Sequence, residues 1–252
     1  MPSSPSSDVL FAYTVPAPLA RVVVTHLPAK VVAAPTSKTS QHEDKYLLDA
    51  DAARFVWAAA SAHLKPQQDP ARPIGFVRTT YFDTRDLAYY RSARGPVALR
   101  VRVREYATAT APDEPPRLSD HCFLEVKQSS GGLRSKTRIE LEPHAVAGYL
   151  ARHPDAPLAP MLTTWYRRRS LVQDGQLRVT LDDGVCFCAP TAVGSPCACA
   201  PLRVLGRWPA FVLEIKRSGD APAWLSGALH GLKQAVGFSK FSTGMIALAA
   251  TR

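Results

Sequence analysis

The residues that invite a chemical interpretation are charged side chains placed two apart on an otherwise apolar stretch. Between Leu99 and Arg104, apolar residues alternate strictly with Arg100, Arg102 and Arg104. Because successive side chains of a strand point to opposite faces, the three guanidinium groups share one face. They repel one another unless water or an anion lies against them, so this face is either solvated or a binding surface for an anion.

The same spacing recurs in one predicted strand after another, often with a glutamate two residues from a lysine. Lysine and arginine neutralise phosphate oxygens, and glutamate holds a divalent cation that bridges them, so the combination is typical of a site for metal and polyphosphate. Each set shares a face because its members are an even number of residues apart. The sets are Glu43 with Lys45, Glu125 with Lys127, Lys136 with Arg138 and Glu140, Arg178 with Asp182, and Glu214 with Lys216.

Two arrangements of these strands fit the pattern. In the first, the apolar faces form the core and the charged faces are solvated. In the second, the sheet closes into a β-barrel whose interior carries the charges, and helices cover the apolar outside. The second arrangement requires an anion inside, because clustered buried cations are costly unless they are paired. The pattern alone leaves both open.

The composition agrees with an anionic partner without choosing one. The chain has 252 residues, a formal net charge of +10 and a sequence pI near 9.6, which points to nucleic acid, an acidic membrane surface or a polyanionic small molecule. No apolar run is long enough to cross a bilayer, and Pro16, Pro18 and Arg21 interrupt the apolar patch that a signal peptide would need. We therefore expect a cytoplasmic protein.

The elements that must position the charged residues are predicted as short strands with two principal helices. Residues 1–39 are rich in Ser, Pro and Ala and predict a flexible tail, followed by one domain over residues 40–252. One helix is predicted over Asp51–Leu64, with Asp51 as its N-cap, and an amphipathic one over Pro222–Val236. Strands without a βαβ rhythm indicate an antiparallel α+β fold. They are predicted at Glu43–Leu48, Phe76–Asp83, Ala98–Tyr106, Cys122–Lys127, Ser135–Leu141, Leu162–Leu171, Leu177–Asp182 and Phe211–Lys216.

Four cysteines form two Cys-x-Cys pairs, Cys186 with Cys188 and Cys197 with Cys199. Such pairs are able to hold a structural zinc ion, but their spacing is not that of a standard zinc finger. We favour reduced thiols, and the alternative of a structural metal stays open.

The order of the charged motifs resembles that of the triphosphate tunnel metalloenzymes (the CYTH-like superfamily), which are closed antiparallel barrels that bind triphosphate inside. Within this superfamily the chain is most similar to the catalytic domain of the vacuolar transporter chaperone (VTC) family, a polyphosphate polymerase. The resemblance covers roughly residues 41–245. The motifs that carry it are Glu43-x-Lys45-Tyr46, Thr80-Tyr81-Phe82-Asp83-Thr84, Leu99-Arg100-Val101-Arg102, Phe123-Leu124-Glu125-Val126-Lys127, Lys136-Thr137-Arg138, Arg178-Val179-Thr180-Leu181-Asp182, Leu213-Glu214-Ile215-Lys216 and Phe238-Ser239-Lys240-Phe241.

The resemblance implies a role for each charged residue that matches a motif. Glu214 corresponds to the carboxylate that holds a catalytic Mn²⁺ or Mg²⁺ ion, and Glu43 is a further candidate ligand. Glu125 is either another metal ligand or a structural partner of a cation. Lys240 corresponds to a basic residue near a tunnel mouth. The residues expected to bind the nucleotide triphosphate and the phosphate chain are Lys45, Arg100, Arg102, Arg104, Lys127, Lys136, Arg138, Arg178, Lys216 and Lys240, and the catalytic set among all of these is Lys45, Arg100, Arg102, Lys127, Glu214 and Lys216.

The basic run Tyr166–Arg169 has two interpretations. By itself it is typical of a solvated face, but the family pattern has a Tyr-Arg pair at this place. That leaves open that one of its arginines reaches the interior.

The implied activity is metal-dependent transfer of the γ-phosphoryl group of ATP to a growing inorganic polyphosphate chain. Hydrolases and cyclases of the superfamily begin with Glu-x-Glu-x-Lys, whereas this chain has Gln41-x-Glu43-x-Lys45, which weakens the hydrolase interpretation because one carboxylate is an amide. Two alternatives remain, a triphosphate hydrolase of the same fold and a non-catalytic module that binds polyphosphate or RNA. The expected partners are ATP and polyphosphate rather than nucleic acid, and the need for a membrane partner stays open.

Overall fold

Eleven strands and five α-helices make up the part of the chain that the structure, a computed structural model, describes. That part comprises residues 30–33, 41–93, 95, 97–130, 133–173, 175–194 and 203–250. The helices are α1 (Ala50–Ser61), α2 (Ala88–Ser92), α3 (Val146–Ala151, preceded by a 3-10 helix at Pro143–Ala145), α4 (Ala223–Ala228) and α5 (Lys240–Ala249). The strands are β1 (Lys30–Ala33), β2 (Gln41–Leu48), β3 (Lys65–Pro66), β4 (Ile74–Asp83), β5 (Val97–Ala109), β6 (Arg117–Ser130), β7 (Leu133–Leu141), β8 (Ala159–Gln173), β9 (Leu177–Cys188), β10 (Val204–Arg207) and β11 (Phe211–Ser218).

All strands belong to one antiparallel sheet. Its main path runs β1-β7-β6-β5-β4-β8-β9-β11-β2, while β10 pairs with β9 and β3 pairs with β8. The prediction of an antiparallel α+β fold is therefore confirmed. Each predicted strand is present, and most extend further than the motif that revealed them.

Helices pack on this sheet in three clusters. Helices α1 and α4 pack on β2, β9 and β11 through fully buried residues such as Val56, Leu181 and Leu225. The second cluster joins α2 and α3 to β5, β6 and β7. In the third, Phe241 and Met245 of α5 pack on β8 and β9. The first two clusters lie on the face that the alternation predicted to be apolar. Helix α5 packs on the opposite face, because its contacts Tyr81 and Leu162 point to the same side as Arg102.

Helix α5 approaches the sheet closely because it carries glycine at the point of contact. A Cβ atom at Gly244 would overlap the side chains of Leu162 on β8 and Phe187 on β9. This contact fixes the start of α5 relative to β9, which matters below because Lys240 is the first residue of the helix.

The expected closure of the sheet into a hydrogen-bonded barrel is not found in the described residues. No ladder joins β2 at one end of the path to β7 or β1 at the other end. Both edges have other partners: β1 pairs with the outer side of β7, and the segment after α4 covers the outer side of β2. There the amide of Ala235 donates to the carbonyl of Lys45 at 2.7 Å, and Tyr46 forms an isolated bridge with Gln234. The sheet is thus strongly curved but open.

The C-terminal helix differs from its prediction. Helix α4 ends at Ala228, well before Val236, and α5 follows as a second helix that the sequence pattern did not reveal. Gly231 adopts a positive φ of 75°, which favours glycine and interrupts a helix. The apolar spacing after Pro222 continues through this turn, and for that reason the sequence wrongly predicted one long amphipathic helix.

Two smaller differences concern the N-terminal region. The cap of α1 is Asp49, whose carboxylate accepts from the amide of Ala52 at 2.8 Å, whereas Asp51 lies inside the first turn. The strand Lys30–Ala33 lies within the segment that was predicted to be a flexible tail. Its pairing with β7 was missed because the segment shows no sustained alternation.

Candidate functional site

The charged faces of the strands surround one cavity of about 1780 Å³. Among the described residues, eleven basic and three acidic side chains line it, so its formal charge is strongly positive. The structure therefore gathers the charges inside, as in the second of the two arrangements, but within a curved sheet that does not close into a barrel. The basic residues are Lys45, Arg100, Arg102, Arg104, Lys127, Lys136, Arg138, Arg168, Arg178, Lys216 and Lys240, and the acidic ones are Glu43, Asp44 and Glu214.

Charges that interact across the cavity belong to strands that are far apart in the sheet. Lys216 on β11 helps to lower the pKa of Lys127 on β6, although four strands separate β11 from β6 along the sheet. Burial lowers the pKa of Arg100 on β5, and Glu43 on β2 is one of the groups that oppose this effect. The two halves of the sheet consequently face each other, which brings the predicted residues together.

Three cations lie in a row on neighbouring strands of one half. Lys127 on β6 is the Cα partner of Arg100 on β5 and of Lys136 on β7. Like charges directly opposite each other on adjacent strands destabilise a sheet. Repulsion by Arg102, together with burial and the charge of Lys216, lowers the pKa of Lys127 to about 6. This row is suited to an anion, since a bound anion would relieve the repulsion.

Some of the basic residues lack an acidic partner. Among the described residues, no carboxylate lies within 4 Å of the side-chain nitrogens of Arg100, Arg104, Lys127 or Arg178, and the Nε of Arg104 is buried without a hydrogen-bond partner. Arg178 lines the cavity and is exposed. Cationic groups without an acidic partner have donors available for an anionic ligand.

Glu125 does not line the cavity but lies beneath its basic residues. It is fully buried, and its oxygens contact Arg102 Nη2 at 2.6 Å, Lys136 Nζ at 2.7 Å and Arg138 Nη1 at 3.4 Å. Burial by itself would raise the pKa of Glu125, but Arg102 and Arg104 outweigh it and hold the pKa well below its usual range. Of the two roles considered for Glu125, this geometry fits the structural partner of cations and not the metal ligand.

Glu43 and Glu214 are the predicted metal ligands that do reach the cavity. Both contact one ammonium group, Lys216 Nζ, at 3.4 and 3.2 Å, and Glu43 also contacts Lys45 Nζ at 3.0 Å. Burial opposes ionisation of Glu214, yet Lys216 and Arg168 hold its pKa well below the usual value. Two ionised carboxylates that converge on one point fit a Mg²⁺ or Mn²⁺ ion, which binds through one or two carboxylates together with substrate phosphates. Within the described residues, no group of three or more His, Cys, Asp or Glu residues is placed to hold a metal ion.

Arg168 is the arginine of the run Tyr166–Arg169 that reaches the cavity. Its Nε and Nη2 donate to the two oxygens of Asp182 at 2.6 and 2.7 Å. Arg167 and Arg169 lie on the opposite face, where both contact Asp183. Tyr166, which also lines the cavity, packs beneath the guanidinium of Arg168. The alternation in β8 was the signal for this division, but it did not decide which of the two faces was internal.

Two further tyrosines were not predicted as site residues. Burial would raise the pKa of Tyr81, but Arg102, Arg104 and Arg100 lower it below the usual value. Tyr106 accepts a hydrogen bond from Arg138 at 3.3 Å. These hydroxyl groups are polar neighbours of the cations and add no formal charge. A tyrosine inside a predicted strand does not show from the sequence alone that it has this role.

The pair of Cys186 and Cys188 does not line the cavity. Cys186 and Cys188 are buried free thiols on β9, and Arg207 Nη1 lies 3.1 Å from Cys186 Sγ. Cys197 and Cys199 lie outside the described residues, so the alternative of a structural metal at the two pairs stays a hypothesis. The described helices include none with the length and apolar character needed to cross a membrane.

The comparison with protein families identifies the chain. The model of the VTC domain matches residues 40–159 and 150–249, which together span most of the sequence. The chain belongs to the VTC domain family. The resemblance inferred from the motifs is therefore confirmed, and the matched segments contain every predicted site residue of this VTC domain.

Solved structures give more distant similarities, and no curated protein matches the chain. The VTC domain is similar to protein PH1819 from Pyrococcus horikoshii OT3, with a TM-score of 0.49, 12% identity and coverage of 84% of this chain and 99% of that one. It is also similar to an adenylate cyclase candidate from Bacillus halodurans, with a TM-score of 0.48, 13% identity and coverage of 81% and 98%. A third is the adenylyl cyclase candidate HpAC1 from Hippeastrum, described with a dominant triphosphatase activity, with a TM-score of 0.42, 17% identity and coverage of 81% and 94%.

Proposed function

We propose that this VTC domain is a metal-dependent polyphosphate polymerase that transfers the γ-phosphoryl group of ATP to the end of an inorganic polyphosphate chain. The observation that carries the proposal is the internal cavity, where eleven basic side chains face only three acidic ones. Such an excess of half-buried positive charge is unfavourable unless a polyanion neutralises it. Membership of the VTC family supports the choice of polyphosphate as that polyanion.

The basic residues are placed to bind a chain of phosphates rather than a single one. Arg100, Lys127 and Lys136 form a row on one half of the sheet, and Lys216 with Lys45 lies on the other half. Phosphate groups between the two halves would receive charge-assisted hydrogen bonds from both sides. Arg102, Arg104, Arg138, Arg178 and Lys240 extend the same surface.

A divalent cation would be held by Glu214 and Glu43, together with phosphate oxygens of the substrate. A bound Mg²⁺ or Mn²⁺ ion neutralises the charge that develops on the transferred group. Residues of the chain would orient the phosphates. Lys216 and Lys45 lie beside the two carboxylates. When the cation occupies the carboxylates, the two ammonium groups would donate hydrogen bonds to phosphate oxygens instead.

The transfer requires little proton chemistry from the protein. An oxygen of the terminal phosphate of the acceptor forms a bond to the γ-phosphorus, and the bond from that phosphorus to the β,γ-bridging oxygen breaks, so that ADP leaves with the electron pair. The attacking oxygen is already ionised near neutral pH. Basic residues around it stabilise the charge of the transition state.

The first strand favours a polymerase over a hydrolase of the same fold. Hydrolases of the superfamily begin this strand with Glu-x-Glu-x-Lys, whereas β2 begins with Gln41-x-Glu43-x-Lys45. One of the carboxylates expected to hold a metal ion in a hydrolase is therefore an amide.

Incubation of the purified chain with ATP and MnCl₂ tests the proposal. The expected products are ADP and long-chain polyphosphate, resolved by gel electrophoresis and removed by a polyphosphate-specific phosphatase. Release of free phosphate without polymer would instead identify a hydrolase. Binding of ATP or polyphosphate without turnover would indicate a binding module, and its affinity should then depend on salt but barely on metal.

A further inference from the structure

Asp182 is a buried carboxylate at which two basic residues of the cavity meet. It is 1% exposed, accepts both hydrogen bonds of the Arg168 fork at 2.6 and 2.7 Å, and contacts Lys240 Nζ at 2.7 Å. Both cations also lie over the ring of Tyr166, with Lys240 Nζ 4.7 Å and Arg168 Cζ 5.3 Å from its centroid. Asp182 itself is not among the residues that line the cavity.

The contact with Lys240 also fixes the end of a segment that borders the cavity. We call residues 234–240 the strap: every one of them lines the cavity. Its first end is tied to the outer edge of β2 by the hydrogen bond from the amide of Ala235 to Lys45. Its other end is tied to β9 by the ion pair of Lys240 with Asp182, so the position of the Lys240 ammonium group depends on this carboxylate.

A lysine side chain would otherwise sample many rotamers, and ordering it costs free energy when a ligand binds. A carboxylate that already holds the ammonium group and the guanidinium group removes much of that cost. Arg168 uses only Nε and Nη2 for Asp182, which leaves its Nη1 for another acceptor. Both cations also act on Glu214, so they lie near the carboxylate proposed to hold the metal.

We propose that Asp182 is a positioning residue that holds Lys240 and Arg168 where they contact bound phosphate, and that it does so without touching the phosphate itself. The inference rests on the proposed function only in that the cavity must bind a chain of phosphates. Simple charge counting gives the opposite expectation, because removal of a buried negative charge makes the cavity more positive. Weaker phosphate binding after removal of the Asp182 charge would therefore indicate positioning, and tighter binding would indicate that the charge only neutralises the cavity.

The test compares Asp182→Asn with Asp183→Asn, using isothermal titration of the full chain with inorganic tripolyphosphate. Asp183 is a matched control, since it is the next residue, is also largely buried and also pairs with two arginines, but on the outer face. We expect Asp182→Asn to bind about tenfold more weakly, the size of a lost charge-assisted contact, and Asp183→Asn to bind like the wild type. Equal or tighter binding by Asp182→Asn would overturn the inference.

Two further variants complete the test. One provides a measurement if Asp182→Asn does not fold, and the other shows whether the effect of Asp182 depends on Lys240. Asp182→Glu keeps the charge but displaces both cations, so we expect weaker binding from a folded protein, and wild-type affinity would overturn the inference. The substitution Lys240→Met should weaken binding less in the Asp182→Asn or Asp182→Glu background than in the wild type, whereas additive effects would contradict positioning. Absence of tripolyphosphate binding by the wild type would instead refute the proposed function.

Discussion

The pKa of Lys127 shows how strongly the other cations of the cavity act on a single residue. Its strand neighbours on both sides, Arg100 and Lys136, are cations, and repulsion by Arg102 with burial and Lys216 lowers its pKa to about 6. The neutral amine is therefore the main form near neutral pH. Since an unfolded chain holds this proton up to its usual pKa of 10.5, the free energy of unfolding should rise with pH between the two values.

Proton uptake on binding tests this environment. A bound triphosphate would restore the ordinary pKa of Lys127, so at about pH 8 the wild type should take up close to one more proton than Lys127→Met when it binds tripolyphosphate. Titration calorimetry in two buffers of different ionisation enthalpy measures the difference. Equal proton uptake by the two proteins would mean that Lys127 is already charged or that the anion does not reach it.

Glu214 allows a second prediction at this scale. Glu214→Gln removes a carboxylate proposed to hold the metal but leaves the cations in place, so we expect loss of turnover with nearly unchanged binding of polyphosphate. Binding of Mn²⁺ in the presence of tripolyphosphate, followed by electron paramagnetic resonance, should weaken in parallel. Near-normal turnover in this variant would remove Glu214 from the metal site.

The alternation of apolar and charged residues predicts which side chains share a face of a strand, but not which residues from distant strands contact each other. Even spacing identified the shared face, and the structure places all but one of the predicted site residues on the cavity. Glu125 is the exception, because its burial under Arg102 and Lys136 depends on three strands at once. The contact of Asp182 with Lys240 joins elements 58 residues apart, which no local pattern reveals.

At the scale of elements, the strands were easier to predict than the helices. In a strand that is apolar on one face and charged on the other, the two kinds of residue alternate. This alternation identified β5 and β6, although both strands are longer than the motifs that revealed them. Helical spacing was less reliable. The residues after Pro222 kept an apolar rhythm through the turn at Gly231, and α5 begins only at Lys240.

The cap of α1 gives a stability prediction that is independent of the cavity. Asp49→Ala removes the acceptor for the amide of Ala52 and should lower the free energy of unfolding by about 1 kcal/mol. Asp51→Ala is the control, since Asp51 is exposed and pairs only with Arg54 at the surface; it should cost less than about 0.5 kcal/mol. Urea unfolding measures both, and equal losses would contradict the assignment of the cap.

At the scale of the whole molecule, the fold concentrates like charges inside a curved sheet. Helices α1 to α4 cover the apolar outer face, whereas α5 packs on the inner face. The two edges that a closed barrel would join are occupied by β1 and the strap (residues 234–240). Closure was not predictable from motifs, because it depends on which segment pairs with each free edge. The positive charge inside is a cost to folding that a bound anion would reduce.

Thermal unfolding with and without ligand tests whether an anion binds to these charges. Tripolyphosphate at about 100 times its dissociation constant for the wild type should stabilise the protein by about 2.7 kcal/mol. At that fixed concentration, the shift should shrink as salt rises. The shift should be much smaller in Arg100→Ala than in Arg54→Ala, which alters an exposed arginine on α1. Equal shifts in the two variants would show that the anion binds elsewhere.

The most direct test of the central claim is a crystal structure with tripolyphosphate and Mn²⁺. The account predicts a phosphate chain inside the cavity, contacted by Arg100 and Lys127 from one half of the sheet and by Lys216 from the other, with the metal on Glu214. A chain of phosphates on the outer surface, with these three cations free of it, would contradict the account.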